Sequence, residues 1–181
     1  LLIPTNRSRL LLQRLTFGLA LVGTLGIALA AFVGEGAPLM NNYVPVLQRS
    51  WFFAALGLFG LGIAIQTLVA LYSMGKALDL QGMANQLPLL AGFTIAIAVS
   101  ISLLALLIAW VQIPADVTGQ GFYEYLFWGA GHSLQFAYTQ LLLLAWLLRT
   151  GRSLALALQA VLILGLLFIA GQFLQDQDPV T

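Results

Sequence analysis

Charged residues occur in this chain only as narrow borders around five long uncharged windows, and those windows decide what it can fold into. Twenty uncharged residues separate Arg14 from Glu35, 26 separate Arg49 from Lys76, and 36 separate Asp79 from Asp116. A further 24 lie between Glu124 and Arg149, and 23 between Arg152 and Asp176. A helix rising about 1.5 Å per residue needs about 20 residues to cross a hydrocarbon core roughly 30 Å thick. Each window holds one crossing and none holds two. The expected spans are 15–34, 51–74, 87–111, 125–148 and 153–174.

Composition agrees. The chain is 61% hydrophobic and 7% charged, against about 45–50% and about 25% for an ordinary soluble domain. Its surface must face lipid. A membrane β-barrel would alternate apolar and polar residues, and runs such as "SISLLALLIAW" and "QAVLILGLLFIAG" do not. The predicted fold is therefore an all-α integral membrane protein, a single five-helix domain over residues 1–181. The arginines before span one also resemble the start of a signal peptide, but the apolar run is too long and no cleavage site leads into soluble sequence. Leu1 is not an initiator methionine, which suggests a processed chain or a portion of a longer one.

Orientation follows from the basic residues. With five alternating spans, Arg7, Arg9, Arg14, Lys76, Arg149 and Arg152 fall on one side, and Arg49 is the only base on the other. The positive-inside bias then places the N-terminus in the cytoplasm and the C-terminus outside, as in a bacterial-type inner membrane. With no cysteine, disulfides, thiolate chemistry and cysteine-held metals are excluded within the chain. A net charge of +1 gives no nucleic-acid footprint. The lipid bilayer and other membrane subunits are the expected partners.

Between spans one and two, residues 34–50 carry Pro38, Asn41, Asn42 and Pro45 and read as a turn or short interfacial segment, with Tyr43 and Trp51 at headgroup level. The "RTGR" link makes spans four and five antiparallel neighbours. Gly18, Gly23 and Gly26 in span one, and Gly57, Gly60 and Gly62 in span two, suit close helix packing better than a cofactor cradle. Trp51, Trp110, Tyr123, Tyr125 and Trp128 read as interfacial belt residues rather than a cage.

Span four holds the only histidine, His132, in "FYEYLFWGAGHSLQFAYTQLLLLAW". Seven residues beyond Tyr125, it sits roughly 10 Å inside the span. Helical spacing aligns Trp128, His132, Gln135 and Phe136 on one face, with Gly131 leaving room and with Tyr138 and Gln140 carrying polarity inward. An ionisable group at such depth marks a ligand, ion or proton site. The competing reading is a neutral imidazole bonded to Gln135 or to a neighbouring carbonyl, fixing helix packing. A copper site needs two or three further donors, so a metal held by His132 must be completed by sequence outside this chain.

"LFWGAGH", Leu126 to His132, resembles the sixth-helix motif of subunit I of the heme–copper oxidase superfamily, Leu-Phe-Trp-x-x-Gly-His. The resemblance implies that His132 stands at the position of a copper B ligand beside a high-spin heme. It makes the five spans equivalent to the family's helices three to seven, whose sixth helix has the direction and histidine depth expected of span four. Ser133, Leu134, Gln135 and Phe136 replace the family's Pro-Glu-Val-Tyr, removing the proton-delivering glutamate and the tyrosine. Absence of that tyrosine is shared with the C-type oxidases and nitric oxide reductases. Span five has Gly171, Gln172 and Phe173 and lacks the helix-seven histidine pair.

The leading expectation is thus a divergent or partial oxidase-like subunit of a larger respiratory or redox assembly. Copper, heme and a cytochrome electron donor belong to the complete family-like site. Oxygen or nitric oxide reduction would need ligands from outside this chain. An accessory membrane subunit of a redox or photosynthetic complex is the second reading. A small channel or carrier lined by His132, Gln135 and Tyr138 is the third.

Overall fold

The computed structural model describes residues 7–33, 38–41, 45–77 and 87–150, together with Ile163 and Gly165. The order is α1 (Arg7–Val33), β1 (Pro38–Leu39), β2 (Val46–Leu47), α2 (Ser50–Ala77), α3 (Leu87–Gln112) and α4 (Gly119–Thr150). The expected spans 51–74, 87–111 and 125–148 fall within α2, α3 and α4, and α1 covers residues 15–33 of the first. Among the described residues α1, α2 and α3 are long and apolar enough to cross a membrane. At 26 residues even α3 reaches about 39 Å.

Helix α1 begins at Arg7, ahead of the expected span, because the Arg-bearing segment is followed by the good helix formers Leu10, Leu11 and Leu12 and nothing breaks it. Two expectations change. Helix α4, with 32 residues, runs well past 125–148 and is not among the helices apolar enough to span. His132, Gln135 and Gln140 dilute its apolar run. The five-helix count is met by four helices among the described residues. Window 153–174 otherwise lies outside them, with only Ile163 and Gly165 described, both helical.

Helix boundaries have local causes. Pro88 sits in the first turn of α3, where its missing N–H costs nothing. Pro114 follows the end of α3 and stops it. Val117 N–H then donates to the Pro114 carbonyl at 3.1 Å. Gly119 opens α4 at φ 62°, a left-handed conformation that favours glycine.

α1 and α2 pack antiparallel with almost no side chain between them. A Cβ on Gly62 would lie 2.8 Å from both the Ala20 nitrogen and the Thr16 carbonyl oxygen, and one on Gly23 would lie 2.7 Å from the Ala55 oxygen. Beside this crossing Thr16 Oγ1 donates to Gln66 Oε1 at 2.8 Å. Within lipid such bonds contribute about 0.6 kcal/mol each on average. Gly18, Gly57 and Gly60 face open space, so only part of the glycine set makes the seam.

α3 and α4 form the second pair. The Ala98–Ala137 contact centres their interface, with Ile95, Val99, Leu134 and Phe136 around it. In the segment 34–50, expected as a turn or interfacial stretch, the described part forms an antiparallel ribbon pairing Pro38 with Leu47 and Leu39 with Val46, and Tyr43 lies outside the described residues. Val46 is fully buried with Ala30 and Phe52, and Tyr123 and Phe127 of α4 pack on that cluster. The ribbon thereby joins the first helix pair to the second at one end.

Candidate functional site

Seen along α4, two stripes of residues run down different faces. Leu126, Gly129, Ser133, Ala137, Gln140 and Leu143 follow a three–four spacing and are buried. Tyr125, Trp128, Gln135 and Thr139 follow the same spacing on another face and are exposed, with half-buried His132 among them. Ser102 of α3 donates to the Ala130 carbonyl at 2.6 Å. That contact sets the depth of His132, roughly 15 Å from the end of α3 at 1.5 Å per residue over about ten residues.

His132 Nδ1 lies 2.8 Å from the Trp128 carbonyl oxygen. A carbonyl only accepts, so Nδ1 carries a proton, and in a neutral ring the lone pair then lies on Nε2. The Trp128 and His132 rings stand 4.6 Å apart at 48°. Backbone carbonyl and indole together hold the imidazole in one tautomer and one direction, as a ligating or hydrogen-bonding histidine needs.

The expected constellation is brought together in part. Trp128, His132 and Gln135 share the outward stripe, and Trp128 is 49% exposed. Phe136 turns away into the α3–α4 interface. Its ring lies against Gly165, where a Cβ would approach to 3.1 Å. Tyr138 is exposed, whereas Gln140 is 1% exposed, so these two do not extend one polar path, contrary to the expected inward continuation. The belt reading fits Trp51, Trp110 and Tyr125, all exposed, while Tyr123 packs inward between Phe53 and Phe127.

A copper ion is not matched by the donors present. Among the described residues no three His, Cys, Asp or Glu side chains gather to hold a metal, and the sequence contains one histidine. Sequence reasoning missed the buried serines Ser102 and Ser133, which lie in the α3–α4 interface with Gln140. Their signal was present as polar residues at three–four spacing among small ones.

No family model matches the chain, and no solved structure matches it. An uncharacterized protein of Rickettsia prowazekii (strain Madrid E) is 31% identical over 139 residues, covering 73% of this chain and 26% of the relative. An uncharacterized protein of Aquifex aeolicus (strain VF5) is 33% identical over 129 residues, covering 71% and 32%. The likeness is to a segment of longer proteins. The chain spans about a quarter to a third of the length of the curated relatives it matches.

Proposed function

We propose that this chain is a divergent, oxidase-like membrane unit of a larger redox assembly, in which the His132 stripe of α4 is covered by membrane segments from outside the chain. The outward stripe carries the proposal. Tyr125, Trp128, His132, Gln135 and Thr139 present hydroxyl, indole, imidazole and amide groups at membrane depth. The exposed faces of α1 and α3 offer Leu15, Val22, Leu25, Leu104 and Leu107 instead. The second kind of surface suits lipid better than the first, although within the stripe Thr139 Oγ1 already donates to the Gln135 carbonyl and His132 Nδ1 to that of Trp128.

The "LFWGAGH" resemblance supports reading His132 as one donor at a copper B-like position, with Nε2 bearing the lone pair. The remaining donors, the heme and a cytochrome electron donor lie outside this chain in that reading. Basic residues at alternate helix ends support an N-terminus in the cytoplasm of a bacterial-type inner membrane and a fifth crossing over 153–174.

An accessory subunit without chemistry is the second reading. The Nδ1–Trp128 bond favours it, because an imidazole tied to its own helix also serves packing alone. Copper analysis and heme spectra of the purified assembly, with and without His132→Ala, separate the two. Loss of copper or a changed high-spin heme spectrum is expected. Unchanged metal, spectra and activity would sink the ligand role and leave the accessory reading.

A further inference from the structure

Arg9 continues the stripe by which α1 packs on α2. It stands seven residues before Thr16, and the buried Thr16, Gly23 and Ala30 follow at the same interval, close to two turns of helix. The antiparallel register fixes its height. Gly23 meets Ala55 and Phe59, Gly62 meets Thr16 and Ala20, and Thr16 bonds to Gln66. Arg9 is thereby brought to the level of Tyr72, one turn from Lys76. The charges of Arg9 and Lys76 both reach the Tyr72 hydroxyl.

α2 adds a graded face. Leu61, Leu68, Tyr72 and Lys76 are all exposed, and the last three recur at every fourth residue on one face. Lys76 Nζ donates to Tyr72 Oη at 2.7 Å and stands 4.5 Å from the centre of its ring. An ammonium has three donors, and the phenol takes one. The apolar span of α2 ends at Met74, which puts Lys76 at headgroup level, Tyr72 at the interface and Leu68 among acyl chains. The described carboxylates, Asp116 and Glu124, border the opposite end of the bundle, and Asp79 lies outside the described residues.

We propose that Arg9, Tyr72 and Lys76 bind the headgroup phosphate of an anionic phospholipid, with an acyl chain laid along Leu68 and Leu61. The guanidinium and the ammonium give the phosphate charge-assisted hydrogen bonds, and the bases attract a headgroup of net negative charge. A choline headgroup would add a third cation with nothing to pair it. An acidic protein segment would match the two bases but not the order of apolar, aromatic and cationic groups along α2, which follows a phospholipid from tail to phosphate. The site lies on the α1–α2 pair and stands whether or not His132 binds a metal.

Native mass spectrometry of the purified full chain tests this, with the chain released from detergent micelles holding equimolar phosphatidylglycerol and phosphatidylcholine of matched acyl chains. The unmodified chain should retain phosphatidylglycerol severalfold over phosphatidylcholine, and added inorganic phosphate should not displace it. Arg9→Gln combined with Lys76→Gln should remove the preference. Arg7→Gln combined with Arg14→Gln, an equal loss of charge on another face of α1, should keep most of it. Lys76→Gln alone, at an exposed helix end, should weaken the preference even if the double variant fails to fold. Equal retention of the two lipids by the unmodified chain would overturn the proposal and leave the bases to an acidic protein segment. Displacement by inorganic phosphate would overturn the lipid as ligand. A preference lost equally in both folded double variants would mean diffuse charge and no site.

Discussion

Ser102 Oγ reaches across from α3 and donates a 2.6 Å hydrogen bond to the backbone carbonyl of Ala130, two residues before His132. This side-chain bond fixes the height of α4 against α3 at the level of the candidate site. The Ala130 carbonyl lies in mid-helix and keeps its own backbone donor, so the serine adds a second bond to it.

Replacing that serine isolates its contribution. Ser102→Ala should cost about 0.5–1.5 kcal/mol, because the hydroxyl bond is lost without leaving a bare buried donor. Unfolding of the detergent-solubilised chain, followed by circular dichroism, measures it. A loss several times larger would mean that Ser102 also anchors something beyond Ala130.

The two kinds of glycine in α1 and α2 should respond with opposite sign. Gly62→Ala and Gly23→Ala place a methyl against backbone atoms and should destabilise by about 1–3 kcal/mol. Gly57→Ala and Gly60→Ala meet open space and should stabilise by about 0.5–1 kcal/mol through helix propensity. Thermal unfolding of the four variants checks the pattern. A common sign for all four would refute backbone contact at the crossing.

Val46 links the ribbon to the helices. Val46→Ala removes two buried methylene equivalents and should cost about 1.5 kcal/mol. Val46→Asp should be far worse, since it would bury a carboxylate against Ala30 and Phe52. Limited proteolysis between α1 and α2 reads this directly: faster cleavage is expected in both variants, and unchanged rates would mean that the ribbon does not dock.

The helices were legible because lipid imposes one rule on every residue in a window. Charges at Arg14, Arg49, Lys76 and Asp116 marked borders wherever that rule ended. The ribbon was not legible, since its two-residue strands are too short to show a period and depend on Val46 finding Phe52 and Ala30 in space. At the site, spacing alone aligned Trp128, His132 and Gln135 correctly. It failed for Phe136, which turns into the α3–α4 interface, and the expected inward continuation from Tyr138 to Gln140 is split between an exposed and a buried face. Only knowing which side of α4 meets α3 separates the two stripes, and that depends on Ala98 and Ala137 making contact.

The ribbon has a mechanical meaning as well. Each helix pair is locked along its length, by glycine against backbone in α1–α2 and by small side chains with the Ser102 bond in α3–α4. Val46, Tyr123 and Phe127 tie the pairs together at the end near Ala30 and Phe52. Toward the opposite end the side chain of Met74 in α2 fills the space beside Gly92 of α3. The two pairs are therefore clasped at both ends, so that neither pair can swing away from the other without giving up one of the two clasps.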